Sequence, residues 1–180
     1  NEVAYSGIQV HGGMGFVEET GAAQFARDVR VTTIYEGTNG IQSMDLVGRK
    51  LSDGGEMAAK LNDEIEAHAE TVRAGHPDFA DLAEAGWQAT ESMREATEWM
   101  VAQQDVTDRY AGSVPFLRAF ARILGAHFHL MAAMAEPEGP RAALARFYIT
   151  RLLPEHQGLL GHAMGGSADL YALSLDDLAA

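Results

Sequence analysis

Ser113-Val114-Pro115-Phe116-Leu117-Arg118-Ala119-Phe120-Ala121-Arg122-Ile123-Leu124-Gly125-Ala126-His127 opens as a helix and continues as one. Proline is favoured in a first helical turn, where its missing N–H has no intrahelical partner to lose. Ser113 just ahead of it strengthens the start. Phe116, Phe120, Ile123, Leu124, His127, Met131 and Met134 then recur at helical spacing and predict one apolar face. A helix of this kind must bury that face against other helices. The fold class it points to is all-α.

Reading outward, the neighbours repeat the pattern. Glu136-Pro137-Glu138-Gly139-Pro140 is a turn, and a further helix should carry Leu144, Phe147, Tyr148 and Leu152 until it meets Pro154. Leu159, Leu160 and Met164 predict a short helix ending at Gly165-Gly166, and Ser174 with Asp177 resembles a capping box. Upstream, Leu61, Ile65, His68 and Val72 form one helical face, and Phe79, Leu82, Gly86, Met93 and Met100 another. Gly75-His76-Pro77-Asp78 separates them, with Asp78 placed to cap the second. Asp105 to Tyr110 reads as a helix extension or a loop. Four amphipathic helices with short loops predict an antiparallel four-helix-like bundle over about residues 56–155. Ser52-Asp53-Gly54-Gly55 is a turn that divides the chain into regions 1–51 and 56–180.

Bulk properties exclude several roles. A formal net charge of −13 argues against nucleic acid and against anionic membranes, both of which call for clustered lysine and arginine. The chain has no cysteine, hence no disulfide or thiolate metal site. No apolar run approaches the length of a membrane span. The seven histidines lack metal-ligand spacing, so no metal is expected. The methionines at 93, 100, 131 and 134 read as core filler, and Trp87 and Trp99 as packing or subunit-contact residues. The chain opens on Asn1, with Glu2 to Gln9 already helical in pattern, and is expected to be a segment of something longer.

The first region carries the chemistry. Ile34-Tyr35-Glu36-Gly37-Thr38-Asn39-Gly40-Ile41-Gln42 sets one carboxylate between an aromatic residue and a glycine, ahead of an amphipathic run through Met44, Leu46, Val47 and Leu51. Thr38 or Asn39 can cap that helix. A carboxylate in a partly apolar pocket is suited to take a weakly acidic proton, because desolvation raises its pKa. Tyr35 would supply an apolar wall, Gly37 close backbone approach, and Thr38 polar groups at a helix start. Gln9-Val10-His11-Gly12-Gly13-Met14-Gly15-Phe16 offers backbone N–H groups that could cradle a pyrophosphate, or a helix stop followed by a loop. It is not a Rossmann fingerprint, since no strand precedes it. Taken alone, Glu36 reads first as a first-turn acid or a solvated loop residue, and Arg27, Asp28 and Arg30 as a solvated charge run.

Taken in order, Gln9, Gly12-Gly13, Gly15-Phe16, Arg27-Asp28, Arg30 and then Ile34 to Gln42 resemble the acyl-CoA dehydrogenase family. The resemblance implies Glu36 as the base that removes the α-proton of an acyl-CoA, with FAD accepting the β-hydride and an electron-transferring flavoprotein taking the electrons onward. It implies that Gln9, Val10, His11, Gly12 and Gly13 contact the FAD of a neighbouring subunit. Thr38, Asn39 and Gly40 would also touch FAD, and Tyr35 and Gly37 would lie along the substrate. Relatives often carry glutamine or an acid where this chain has Gly40, so contact there is confined to backbone. Asp45-Leu46-Val47-Gly48-Arg49-Lys50-Leu51 leading into a long helical region is similar to longer members with an additional C-terminal helical domain, bacterial 3-(methylthio)propanoyl-CoA dehydrogenases among them. The implied protein is a cytoplasmic bacterial homodimer or homotetramer, of which this segment alone should bind flavin poorly and catalyse nothing. The rival readings are a helical interaction or oligomerisation module and an acyl-CoA oxidase.

Overall fold

The computed structural model describes residues 1–179. These residues form eleven α-helices joined by short 3-10 and π-helical turns, with no strand among them. They fall into two compact units, Asn1–Gln42 and Ser43 onward, so the division lies inside one helix.

The first unit is built from α1 (Glu2–Val10), α2 (Gly13–Phe16), α3 (Ala22–Arg30) and the start of α4 (Asn39–Asp45). Helix α1 packs on α3. Gly15 is buried so close against α1 that an added Cβ would overlap the carbonyl of Ile8. The other buried residues here are Ala22, Ala23 and Ala26, all on α3.

The second unit holds α5 (Glu56–Gly75), α6 (Ala80–Ala102), α7 (Val106–Ala111), α8 (Ser113–Ala135), α9 (Pro140–Phe147), α10 (Glu155–Ala163) and α11 (Leu175–Leu178). Helices α5 and α6 run antiparallel: Arg94 bonds Asp63 and Glu66 near one end, and Arg73 bonds Glu84 near the other. Helix α8 is matched by the returning stretch from Pro140 to Ala163, since Tyr148 meets Gly125 and His129, and Glu155 meets Arg118 and Arg122. The expected four-helix arrangement is therefore present, with α9 and α10 together forming the fourth member.

Its core is a narrow seam. On α8 the buried apolar residues are Phe116, Ala119, Ile123, Ala126, Leu130 and Ala133, alternating three and four apart with large and small side chains in turn. Helix α6 presents Leu82, Ala89, Met93, Ala96 and Met100 in the same rhythm. Knobs-into-holes packing demands that spacing, and the alanines let the backbones approach. Each large side chain so buried contributes roughly 1.5–3 kcal/mol.

Several expectations change. Leu144 and Phe147 are not core residues but 55% and 57% exposed; Ala145, Ile149 and Leu153 are buried instead. Tyr148–Leu152 is a π-turn, in which Leu153 donates to Tyr148, five residues back. That wider turn rotates the apolar face just before Pro154, whose missing N–H and ring do not tolerate a regular helix. Met131 lies 46% exposed, outside the seam. Asp78 does not cap α6 with its side chain; it sits in a 3-10 turn at Pro77–Phe79. Asp105 to Tyr110 is neither a loop nor an extension of α6, because Asp105 caps α7 by accepting from the Thr107 N–H at 2.8 Å. The capping box forms at α11 as read: Ser174 and Asp177 bond each other's backbone N–H. No helix of the described residues is long and apolar enough to cross a membrane.

Candidate active-site turn

Helix α3 ends at Arg30, and a 3-10 turn at Val31–Thr33 leads into the acidic turn. Thr32 and Thr33 tie that turn through hydroxyl bonds to the carbonyls of Val29 and Arg30 at 2.7 and 2.9 Å. β-Branched threonine disfavours further α-helix and competes for the carbonyls.

Glu36 then adopts φ +55, and it is the one non-glycine residue with positive φ among the described residues. Left-handed backbone is unfavourable for a residue bearing Cβ. Gly37 follows at φ +94, where an added Cβ would meet Gln42 Nε2 at 3.2 Å and Ile41 Cγ2 at 3.3 Å. The strain is held from α4: Gln42 Nε2 donates to the Glu36 carbonyl at 2.7 Å. Thr38 caps α4, its Oγ1 accepting from the Ile41 N–H at 3.3 Å and its carbonyl from the Gln42 N–H at 2.9 Å. Two adjacent left-handed residues, clamped by a glutamine six residues on, fix where the carboxylate leaves the backbone.

Tyr35, Glu36, Gly37, Thr38 and Asn39 are all exposed. The partly apolar pocket expected around Glu36 is not supplied by residues 1–42. Gln42 belongs to the sequence motif, and its role as a clamp emerges only from this contact. The signal that could have found it is a glutamine on the first turn of a helix that follows a glycine turn.

Gln9, Val10, His11, Gly12 and Gly13 form the exposed end of α1 and the loop after it. His11 bonds the Gly7 carbonyl through Nδ1 at 2.8 Å, which closes α1. Gly12, at φ +60, donates to Gln9, and Gly15 donates to Gly12. A Cβ on Gly12 or Gly13 would meet nothing within 4 Å. The loop therefore presents open backbone, the kind of surface a polar cofactor can approach closely. His11 also borders a hollow of about 530 Å³ between α1 and α3, lined further by Val3, Thr20 and Phe25. That hollow takes in none of Tyr35 to Gly40. Arg27 reaches Glu18 and Gln24, both at 2.7 Å, on the exposed surface. Among the described residues no three histidine, aspartate or glutamate side chains gather as a metal site.

Residues 1–51 match the family model "Acyl-CoA dehydrogenase, C-terminal domain", and residues 59–174 match "Acetyl-CoA dehydrogenase C-terminal like". The chain belongs to the acyl-CoA dehydrogenase family. It is similar to 3-methylmercaptopropionyl-CoA dehydrogenase of Ruegeria pomeroyi, with 41% identity across 81% of this chain and 26% of that protein. It is also similar to the broad-specificity linear acyl-CoA dehydrogenase FadE5 of Mycobacterium tuberculosis, 33% identical across 65% of this chain and 20% of the relative. A third relative is the caffeyl-CoA reductase-Etf complex subunit CarC of Acetobacterium woodii, 43% identical across 28% of this chain and 14% of the relative. The chain thus spans about a quarter of the Ruegeria enzyme's length and less of the other two.

Proposed function

We propose that this chain is the C-terminal part of an FAD-dependent acyl-CoA dehydrogenase, divided into domains at 1–51 and 56–180, with Glu36 as the base for the α-proton. One observation carries the reading. Glu36 is held in a left-handed backbone conformation by the Gln42 clamp, and strain of this kind gathers at functional sites. Bound flavin would supply the two-electron acceptor. Gln9, Val10, His11, Gly12 and Gly13 would meet it through the open loop, and Thr38, Asn39 and the Gly40 backbone at the start of α4. Tyr35 and Gly37 would border the acyl thioester, Gly37 allowing the backbone to lie against it. Glu36 would take the proton at a carboxylate oxygen, in a pocket completed by parts of the enzyme outside residues 1–180.

The substrate would be an acyl-CoA, and the names of the relatives leave methylthiopropanoyl and linear acyl chains both open. The CarC relative's Etf complex supports an electron-transferring flavoprotein as partner. A homo-oligomer, dimer or tetramer, in the bacterial cytoplasm completes the proposal. The test is a chimera in which this chain replaces the matching segment of the Ruegeria enzyme. Acyl-CoAs are added without oxygen while the flavin's visible absorbance is followed. Bleaching should occur in the chimera and slow by about 10²–10⁴-fold in Glu36→Gln. Equal bleaching in the variant would remove Glu36 from the mechanism.

A further inference from the structure

Helix α8 carries a second heptad pattern besides its seam. Val114, Leu117, Ala121, Leu124, Phe128, Met131 and Ala135 alternate three and four apart from one end of the helix to the other. At about 100° per residue they fall on the side turned away from Phe116, Ala119, Ile123 and Ala126. This stripe lies open. Val114, Phe128 and Met131 are 46%, 60% and 46% exposed, Ala121 and Ala135 are exposed, and Leu117 and Leu124 are half-buried. Single exposed apolar residues need no explanation, but a contiguous run of them does.

Spacing, charge and side-chain size together indicate what covers it. Sustained alternation of three and four is the repeat by which one helix packs its side chains into another. The matching surface is a long helix with an open stripe of its own. Among the described residues, α5 exposes one large apolar side chain, Met57, and α6 none. Of the three long helices, α8 alone matches α8, which makes the partner a second copy of the chain. Charge agrees. The chain carries a net −13, and acidic residues recur along α5 and α6, whereas α8 has none. Its two arginines, Arg118 and Arg122, each bond Glu155 of α10. Two acidic copies can thus meet along α8 without setting carboxylates against each other. Size then fixes the direction. Parallel pairing would set Ala121 against Ala121 and Phe128 against Phe128, a gap followed by a clash. Antiparallel pairing sets Ala121 level with Met131 of the second copy, Leu124 with Phe128, and Leu117 with Ala135, so each of these alanines meets a large side chain.

We propose that two copies of the chain associate through the outward stripe of α8, antiparallel about a two-fold axis. Such a contact is self-complementary, each copy giving and receiving the same side chains. A face one helix wide buries on the order of 1,000 Å² in the pair, the low end for a specific interface, so the dimer dissociates in the micromolar range. It gives the homo-oligomer proposed above one of its contacts and does not depend on the chemistry assigned to Glu36.

The experiment is sedimentation velocity on the 180-residue chain from about 1 to 300 µM, a range that brackets a micromolar dissociation constant. The chain should pass from monomer to dimer. Phe128→Lys with Met131→Lys should weaken association by at least about tenfold, since it buries charge in the contact. Phe25→Lys, on the exposed apolar face of the first unit, should leave association unchanged. Direction is read by cross-linking, for which the absence of native cysteine is an advantage. Ala121→Cys mixed with Met131→Cys should give a disulfide-linked dimer under mild oxidation by diamide, and neither variant alone should. A monomer throughout the range would assign the stripe to another part of the enzyme and overturn the proposal. Dimers that survive the double lysine variant, or cross-linking of Ala121→Cys with itself, would overturn it too. Should the lysine variant fail to fold, the cysteine mixture decides.

Discussion

The two units solve different problems with the same helix. Residues 1–42 bury nothing larger than alanine, while Val3, Val10, Phe16 and Phe25 stand 86%, 85%, 82% and 73% exposed. The second unit encloses Phe116, Leu82, Met93, Met100 and Leu153 almost completely. One unit therefore displays its large apolar groups and the one strained non-glycine backbone among the described residues, and the other buries a set of its large groups in a core. The proposed chemistry and the stability should then be separable, and substitutions should sort accordingly.

The largest effect expected is on catalysis in the first unit. Glu36→Gln in the chimeric enzyme should cut flavin reduction by about 10²–10⁴-fold, with the urea midpoint of the 180-residue chain unchanged. A shift in that midpoint would mean that the turn serves the core after all.

Next come cavities. Phe116→Ala in the second unit should cost about 3–5 kcal/mol of unfolding free energy in urea. Phe25→Ala, on the exposed face of the first, should stay within about 0.5 kcal/mol. Equal losses would erase the contrast between the units.

Two glycines of α8's surroundings sharpen it further. A Cβ at Gly112 would overlap the Ala163 carbonyl, which is backbone and fixed. A Cβ at Gly125 would overlap the Tyr148 hydroxyl, the far end of a side chain. Gly112→Ala should destabilise by about 1–3 kcal/mol and Gly125→Ala by less, as read by thermal unfolding.

A pH effect belongs to the second unit. His68 on α5 and His127 on α8 meet edge to face, ring centroids 5.0 Å apart, with both Nδ1 atoms buried and unpartnered. Burial holds both below the ordinary value of 6.5; His68 lowers His127 further, and Glu64 opposes this. The unfolded chain then binds more protons than the folded one below pH 6.5. Stability from this pair is complete above that pH and falls as pH drops through the lowered folded values. Urea unfolding from pH 7.5 to 5 should show the decline, and His68→Gln with His127→Gln should flatten it.

The smallest effect is at Arg94. Its guanidinium is favoured first by Glu66, yet burial raises the Glu66 carboxyl despite Arg94. The two partners disagree, and burial of Glu66 weakens the pair below what its 2.8 Å contact suggests. A double-mutant cycle with Arg94→Met and Glu66→Gln should return less than about 1 kcal/mol.

Much of the bundle was legible because its punctuation is local. The Pro115 start, the glycines at 54 and 55 and the Ser174–Asp177 box each act within a turn, so neighbouring residues suffice to read them. The seam was only half legible. The spacing of large residues marks Phe116 and Ile123, but it equally marks the exposed Leu144, Phe147 and Met131 and leaves the buried Ala119, Ala126, Ala133 and Ala145 unmarked. Close helix packing is carried by the small residues, whose burial is set by the partner helix and leaves no mark in their own chemistry. The Pro154 break was visible, while the π-turn that accommodates it, and the rotation of the face it brings, was not.

The acidic turn divides the same way. Its residue types and order were enough to propose a base and its family. That Glu36 lies left-handed, and that Gln42 holds it there, required coordinates, because backbone strain persists only when several contacts oppose its release. Most of the helices, several of their ends and the family were thus determined by the sequence itself, through interactions spanning a few residues. The meeting of His68 with His127 and the outward turn of Phe147 were decided by tertiary structure alone. Each depends on groups tens of residues apart, which no local pattern can bring together.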